Sequence, residues 1–272
     1  MCRWLAYVGP PVEMAALVLR PRHSLVRQSL SSLHGVTPVN GDGFGLAWWG
    51  HKPEPGRYRD TLPAWNDSNL KSLTEQIASR LFFAHVRAST GTDTSRANCH
   101  PFTCDRVAFM HNGQIGGWST VRRAVEALIP DRLYQQRQGT TDTEALFLLA
   151  VANGMAEDPL GGLARAVGLV RGEMEAAQIE QPFRMTAAMS DGHRVVCARW
   201  SSDRQSPSLY SAPSEAIASF TGRDLGLDHA WLILSEPLDD EGDGWTPIAE
   251  SSALIATPDS AVCLPFQPEM PG

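Results

Sequence analysis

Cys2, Arg87, Asn112, Gly113 and Asp142 have types and neighbours that could do chemistry on an amide. A cysteine in second position is small enough for the initiator methionine to be removed. Removal leaves one residue that carries both a thiol and a free α-amine. Their ordinary pKa values, about 8.5 and about 7.7–8, are close enough for the amine to take the thiol proton near neutral pH. Nucleophile and base then reside on one residue. A cysteine at this place is, on its own, more often a packed strand residue, so the reading depends on its company. Attack on an amide creates an oxyanion, which needs hydrogen-bond donors set in place beforehand. Met110-His111-Asn112-Gly113 supplies a side-chain amide beside a glycine N–H, although an Asn-Gly pair alone is a common turn.

Two charged residues could each hold a charged group of a ligand. In Leu81–Thr90 (LFFAHVRAST), His85 and Arg87 stand two apart on an expected strand and share a face, where an arginine can clamp a carboxylate bidentately. In Thr141-Asp142-Thr143-Glu144, a capping box puts Asp142 in the first turn of a helix, where the dipole favours a carboxylate and a ligand ammonium can meet it. A surface arginine and a dipole-matching aspartate are the plainer alternatives for each. Asn98-Cys99-His100-Pro101-Phe102 lies between two expected strands and can close a loop over the site. His85, His100 and His111 receive no catalytic role.

The elements that must hold these residues are readable. Arg3–Val8 is apolar from its first residue and reads as a strand, which ties the start of the chain into a sheet. Val39–Gly45 is a tight glycine-rich turn leading into a strand at Leu46–Trp49. Further strands are expected at Leu81–Ala88, Val107–His111 and Ala230–Leu234, and on either side of a two-residue Asp191-Gly192 hairpin, at Met185–Ser190 and His193–Trp200. Helices are expected at Ser119–Leu128, from Thr141 to a terminating Gly154, and at Leu160–Ala177. Ser201–Ser214 and Pro237–Pro247 read as loops, and the proline-rich tail after Leu264 as irregular. Strands, then helices, then strands argues for antiparallel sheets with segregated helices rather than βαβ alternation. The simplest organisation is a single domain over 1–272.

Composition removes whole classes of function. The 272 residues carry a net charge of −7, with no basic field for nucleic acid or an anionic membrane. Apolar runs are too short and interrupted to span a bilayer, and the N-terminus does not read as a secretory signal. Five cysteines at irregular spacing give no zinc pattern. The expectation is a cytoplasmic protein without metal or organic cofactor. Gly41, Gly43 and Gly45 lack the spacing of a dinucleotide fingerprint, and a strand rather than a helix follows them.

Taken in order, Cys2, Asp42-Gly43-Phe44-Gly45, His85-Val86-Arg87, Asn98-Cys99-His100-Pro101-Phe102, His111-Asn112-Gly113 and Thr141-Asp142-Thr143-Glu144 resemble the class II glutamine amidotransferases, over roughly the first 150 residues. Ser235-Glu236-Pro237-Leu238 is similar to a strand end in that family. The resemblance implies an α+β fold of the N-terminal-nucleophile hydrolase type, a four-layer α/β/β/α sandwich with two mainly antiparallel sheets. It implies Cys2 as nucleophile, Asn112 and the Gly113 N–H as oxyanion hole, Arg87 for the substrate α-carboxylate and Asp142 for its α-amine. Val39-Asn40-Gly41 lacks the Arg-Gly that many members carry before the aspartate, and Cys2-Arg3-Trp4 differs from the Cys-Gly start of the large synthases. Both features look like the small stand-alone branch that includes the ergothioneine-pathway γ-glutamyl hydrolase.

The expected reaction is hydrolysis of a γ-glutamyl amide, of glutamine or of a small γ-glutamyl metabolite, through a thioester on Cys2. The part beyond residue 150 suffices to finish the sandwich but not to add a synthase domain. The first alternative is therefore a glutaminase subunit that passes ammonia to a separate enzyme. The second is a non-catalytic γ-glutamyl-binding relative, which would need Arg87 and Asp142 but not Cys2. The expected partner is a small-molecule substrate, with room for a homo-oligomer or a separate ammonia-accepting enzyme.

Overall fold

The computed structural model describes residues 2–33, 39–89, 91–221, 227–239 and 244–270, with backbone only for 218–221. In chain order the described strands are β1 (Arg3–Glu13), β2 (Phe44–Trp48), β3 (Gly56–Asp60), β4 (Ala78–Val86), β5 (Phe102–Cys104), β6 (Val107–Gln114), β7 (Arg184–Ser190), β8 (Val195–Ser201), β9 (Tyr210–Pro213), β10 (Trp231–Leu234), β11 (Thr246–Pro247), β12 (Ser252–Thr257) and β13 (Ser260–Pro265). The helices are α1 (Ala15–Val18), α2 (Leu25–Leu30), α3 (Ser68–Gln76), α4 (Trp118–Ala127), α5 (Asp131–Tyr134), α6 (Asp142–Ala152), α7 (Pro159–Ala176) and α8 (Ser214–Thr221). The strands form two sheets, ordered β11-β9-β10-β1-β4-β2-β3 and β13-β12-β8-β7-β6-β5. Every pairing among the described residues is antiparallel.

Strand alternation builds the layers. Trp4, Ala6, Val8, Leu81 and Phe83 of the first sheet meet Ala108, Met110, Ala188 and Cys197 of the second in one apolar cluster. The residues between them point the other way. Leu5, Tyr7, Phe82 and Ala84 pack with Leu17, Leu25, Leu70 and Ile217 from the helices on one outer face. Phe109, Met185, Ala187 and Met189 pack with Val121, Leu133, Phe147 and Val167 on the other. Two sheets face to face with helices outside both is the expected four-layer α/β/β/α arrangement of an α+β fold.

Several boundaries differ from expectation. The Asp191-Gly192 connection spans four residues, because Ser190 pairs with Val195. Side chains take the backbone groups that a two-residue turn would have paired. The Ser190 hydroxyl donates to Arg194 O at 2.6 Å and accepts from Gly192 N at 3.0 Å, and Asp191 Oδ1 accepts from His193 N. Ser201–Ser214 is not all loop, since β9 lies within it and pairs with β10. Pro237–Pro247 ends in β11, and its residues 240–243 lie outside the described part. The hairpin β12–β13 was not expected at all. Half the capping box at α6 is redirected: Thr141 Oγ1 accepts from Glu144 N at 3.1 Å, but the Glu144 carboxylate reaches Gln138 N and Gly139 N instead of the cap residue's own N–H.

Candidate active site

Register brings the start of the chain to its neighbours. β1 pairs with β4 so that Arg3 faces Val86, which places Cys2 opposite Arg87 by continuation of the ladder. Parity places them in depth. Cys2 follows the alternation of Trp4 and Ala6, and Arg87 that of Leu81 and Phe83, so both belong to the face between the sheets. Asn112 shares parity with Ala108 and Met110 and faces the same layer from the second sheet. At this end of the sandwich lies a cavity of about 380 Å³, walled by Cys2, Arg87, His100, His111, Gly113 and Asp142 among others. Asn112 is 1% exposed and does not line that surface; both polar atoms of its amide are buried without a hydrogen-bond partner. A buried unpaired amide costs about 1–3 kcal/mol, so its retention calls for an explanation.

The glycine-rich turn holds Arg87. Arg87 N donates to Gly43 O at 2.8 Å, and the Arg87 carbonyl oxygen accepts from Asp42 N at 3.0 Å. Its Nη1 donates to Asp42 O at 3.2 Å, and its Nη2 to Ser89 Oγ at 3.1 Å and Thr92 Oγ1 at 2.7 Å. Asp42 Oδ2 accepts from Ser89 N at 2.7 Å, which closes the loop over the guanidinium. Gly43 has φ +108°, and a Cβ there would lie 2.5 Å from Cys99 Sγ. A Cβ on Gly45 would run into the His100 carbonyl oxygen. The turn thus packs directly against the Asn98–Phe102 loop. Asn98 joins the two halves of the site: Nδ2 donates to Asp93 O and Oδ1 accepts from Thr140 N, each at 2.8 Å.

The Asn-Gly pair does not follow a strand but lies inside β6, still paired with β7 at Thr186 and Met185. Gly113 has φ +156°, and a side chain there would strike Arg184 O and His111 Nε2. Beyond β6, Ile115 N donates to Asp142 Oδ2 at 2.9 Å, and Thr143 N to Oδ1 at 2.7 Å, so the aspartate is fixed at the head of α6. His111 Nδ1 lies 2.8 Å from Thr143 Oγ1 and ties β6 to the same helix. Among the described residues no carboxylate stands within ion-pair distance of Arg87 and no cation within that distance of Asp142. One cation and one anion face a single cavity with the second residue of the chain on its wall.

A family model for the class II glutamine amidotransferases matches residues 21–231. The chain belongs to the class II glutamine amidotransferases. Probable glutamine amidotransferase DUG3 of Saccharomyces cerevisiae is 33% identical over 93% of this chain and 81% of its own length. The γ-glutamyl-hercynylcysteine sulfoxide hydrolase of Mycolicibacterium smegmatis is 25% identical over 92% and 93%. The solved structure of a glutamine aminotransferase class-II domain protein from Silicibacter pomeroyi superposes with a TM-score of 0.76 at 34% identity, covering 98% of this chain and all of the other. The glutamine phosphoribosylpyrophosphate amidotransferase of Bacillus subtilis, at 14% identity, TM-score 0.62 and coverage of half its own chain, shares the fold.

Burial dominates the electrostatics of this candidate site. Burial pushes the Cys2 thiol above its ordinary value, and the charges of Arg87 and Arg3 oppose that rise. His85, stacked on His100 with ring centres 4.1 Å apart, is driven down to about 3 by burial. Burial also holds His100 well below, and His111 below, the usual histidine range. All three rings are neutral at pH 7. Sequence reasoning passed over Asp42, Ser89 and Thr92 as the holders of Arg87, and Arg3 with Glu236 beside Cys2. The resemblance had already marked Asp42 and Glu236 as matched positions; only the contacts show what they hold. No helix among the described residues is long and apolar enough to cross a membrane.

Proposed function

We propose that this chain, with Met1 removed, is an amidohydrolase that cleaves the γ-glutamyl amide bond of glutamine or a small γ-glutamyl metabolite through a γ-glutamyl thioester on Cys2. Convergence of Cys2, Arg87, Gly113 and Asp142 on one cavity carries this reading. A γ-glutamyl group is a zwitterion beyond its amide. Arg87 takes its α-carboxylate and Asp142 its α-ammonium, which leaves the amide carbonyl to Cys2. The α-amine of Cys2 accepts the thiol proton, and the thiolate adds to the carbonyl carbon. Asn112 Nδ2 and the Gly113 N–H stabilise the oxyanion. As the tetrahedral intermediate collapses, the α-ammonium protonates the departing amine and the thioester remains. The α-amine then takes a proton from water, hydroxide adds to the thioester, and glutamate leaves as the thiol is restored.

The Asn112 amide is buried without a partner beside Gly113, so no protein acceptor competes for its Nδ2, and in this scheme it meets the oxyanion once substrate fills the cavity. A relative of nearly the same length that is named as a hydrolase supports hydrolysis as the whole reaction. The test is glutamate release by mass-verified protein lacking Met1, across glutamine, γ-glutamyl amines and γ-glutamyl thiol conjugates, beside Cys2→Ala. Release from at least one compound, abolished in Cys2→Ala, is expected. Silence across the panel would overturn the reading.

A further inference from the structure

We propose that Arg3, held by Glu236, is a positioning residue for the N-terminal cysteine: its guanidinium grips the Cys2 carbonyl and sets the direction in which the thiol and the α-amine leave the end of β1. The proposal rests on Cys2 acting as an N-terminal nucleophile. Such a residue poses a mechanical problem. Chain ends fray unless tied down. Yet the thiol and the amine of this residue must both stay free for chemistry. The one backbone group left by which Cys2 can be fixed is its carbonyl.

Arg3 takes that group. Its Nη1 donates to Cys2 O at 2.8 Å, its Nε pairs with Glu236 Oε2 at 2.8 Å, and its Nη2 donates to Ser32 Oγ at 3.2 Å. Arg3 and Glu236 are each 1% exposed. A buried ion pair adds little net stability over an apolar pair of the same size, so its presence beside the nucleophile suggests a positional use. The partner carboxylate is in turn fully engaged. Glu236 Oε1 lies 2.6 Å from His23 Nε2 and accepts from Leu33 N at 2.7 Å. Gln28 Nε2 donates to the carbonyls of His23, Glu236 and Pro237 at 3.0–3.1 Å and locks the two segments together.

The sheet explains why these residues meet. β1 and β10 pair Leu5 with Leu234, and the ladder runs on, since Ser235 N donates to Trp4 O at 3.0 Å and Trp4 N to Ser235 Oγ at 3.1 Å. The next pair in register is Arg3 with Glu236. Cys2 is therefore gripped from the β10 side through Arg3, while its thiol reaches toward Ala88 O, 3.6 Å away on the β4 side. A lysine cannot replace this grip. Its ammonium is a point charge, whereas the planar guanidinium holds the carboxylate and the carbonyl at once through fixed donors. The same cation also favours thiolate at Cys2 against the burial that opposes it.

The experiment uses processed, mass-verified protein and compares the parent with Arg3→Lys and Glu236→Gln. Two quantities are read: the pH dependence of Cys2 alkylation by iodoacetamide, mapped to the Cys2 peptide so that exposed Cys263 does not interfere, and the separate values of kcat and KM. Arg3→Lys is expected to fold, to shift the alkylation midpoint upward and to lower kcat by about tenfold or more, with KM within about twofold, because it misplaces the nucleophile and leaves the substrate clamps intact. Glu236→Gln keeps the shape, loosens Arg3 and is expected to lower kcat by less with KM little changed, while the loss of its negative charge opposes any upward shift of the alkylation midpoint. If Arg3→Lys melts below the assay temperature, Glu236→Gln decides on kcat against KM. A folded variant with the parent's alkylation profile and kcat overturns the proposal. Alkylation needs no substrate, so an enzyme that releases no glutamate from any compound would sink the proposed function while this measurement still judged the clamp.

Discussion

At the scale of single residues, the site separates groups that bind from groups that act on the reacting carbonyl. Arg87 and Asp142 would hold parts of the substrate that do not change during reaction, so their loss should appear chiefly in KM. Arg87→Lys retains charge but loses the fork, and Asp142→Asn retains shape but loses charge. Each is expected to raise KM by about tenfold or more in steady-state kinetics, with a smaller effect on kcat. Asn112 should behave oppositely, because its amide is called on only when the oxyanion forms. Asn112→Ala is expected to lower kcat by about 10²–10³-fold, equivalent to about 2.7–4 kcal/mol, with KM little changed. An Asn112→Ala enzyme with parental kcat would remove this residue from the oxyanion hole.

At the scale of elements, the turn before β2 and the Asn98–Phe102 loop form one unit that presents Arg87 and His100. Gly45→Ala is expected to cost about 1–3 kcal/mol in denaturant unfolding, because its methyl group meets a carbonyl oxygen that the loop cannot withdraw cheaply. It should also raise KM, since the displaced loop carries Asn98, which braces both Asp93 and Thr140. A stable Gly45→Ala protein with parental KM would show that the two segments are not coupled. The elements that carry the site were those legible in the sequence, for a physical reason. β1, β4, β6 and α6 each contain an unbroken run of at least six buried residues, so they read as dense apolar runs. β3 and β13 are edge strands, and β13 is mostly exposed, so neither shows the alternation that reveals a half-buried strand. In α3 only Leu70 and Thr74 are buried, too few to mark a helical face. Cys2, Arg87 and Asp142 stand out in the sequence by their side-chain chemistry and Gly113 by the backbone N–H it offers beside Asn112, and the structure brings all four to one cavity. The work of Arg3, Glu236 and Asn98 is to hold other groups, and that appears only when register brings distant segments together.

At the scale of the whole molecule, the site sits where the two sheets meet, and its neutral histidines make the fold sensitive to acid. His85, His100 and His111 have folded-state pKa values below the ordinary 6.5, so the unfolded chain binds more protons than the folded one as pH falls through that value. The stability they allow is complete above about pH 6.5 and is lost progressively toward the folded value, about 3 for His85. One unit below 6.5, His85 alone accounts for about 1.4 kcal/mol, and His100 and His111 act in the same direction. Thermal melts at pH 7.5 and 5.5 should therefore differ by about 3 °C or more, with the lower Tm at pH 5.5. A Tm that stays flat over that range would mean the rings are not held neutral. The central claim, that Cys2 carries the γ-glutamyl group during turnover, has a more direct test. Processed protein is mixed with a hydrolysed γ-glutamyl compound, quenched in acid within one turnover, digested and mapped by mass spectrometry. The expected result is a γ-glutamyl adduct on the Cys2 peptide that hydroxylamine removes and that Cys2→Ala lacks. Glutamate release with no adduct on Cys2, and with turnover surviving in Cys2→Ala, would contradict it.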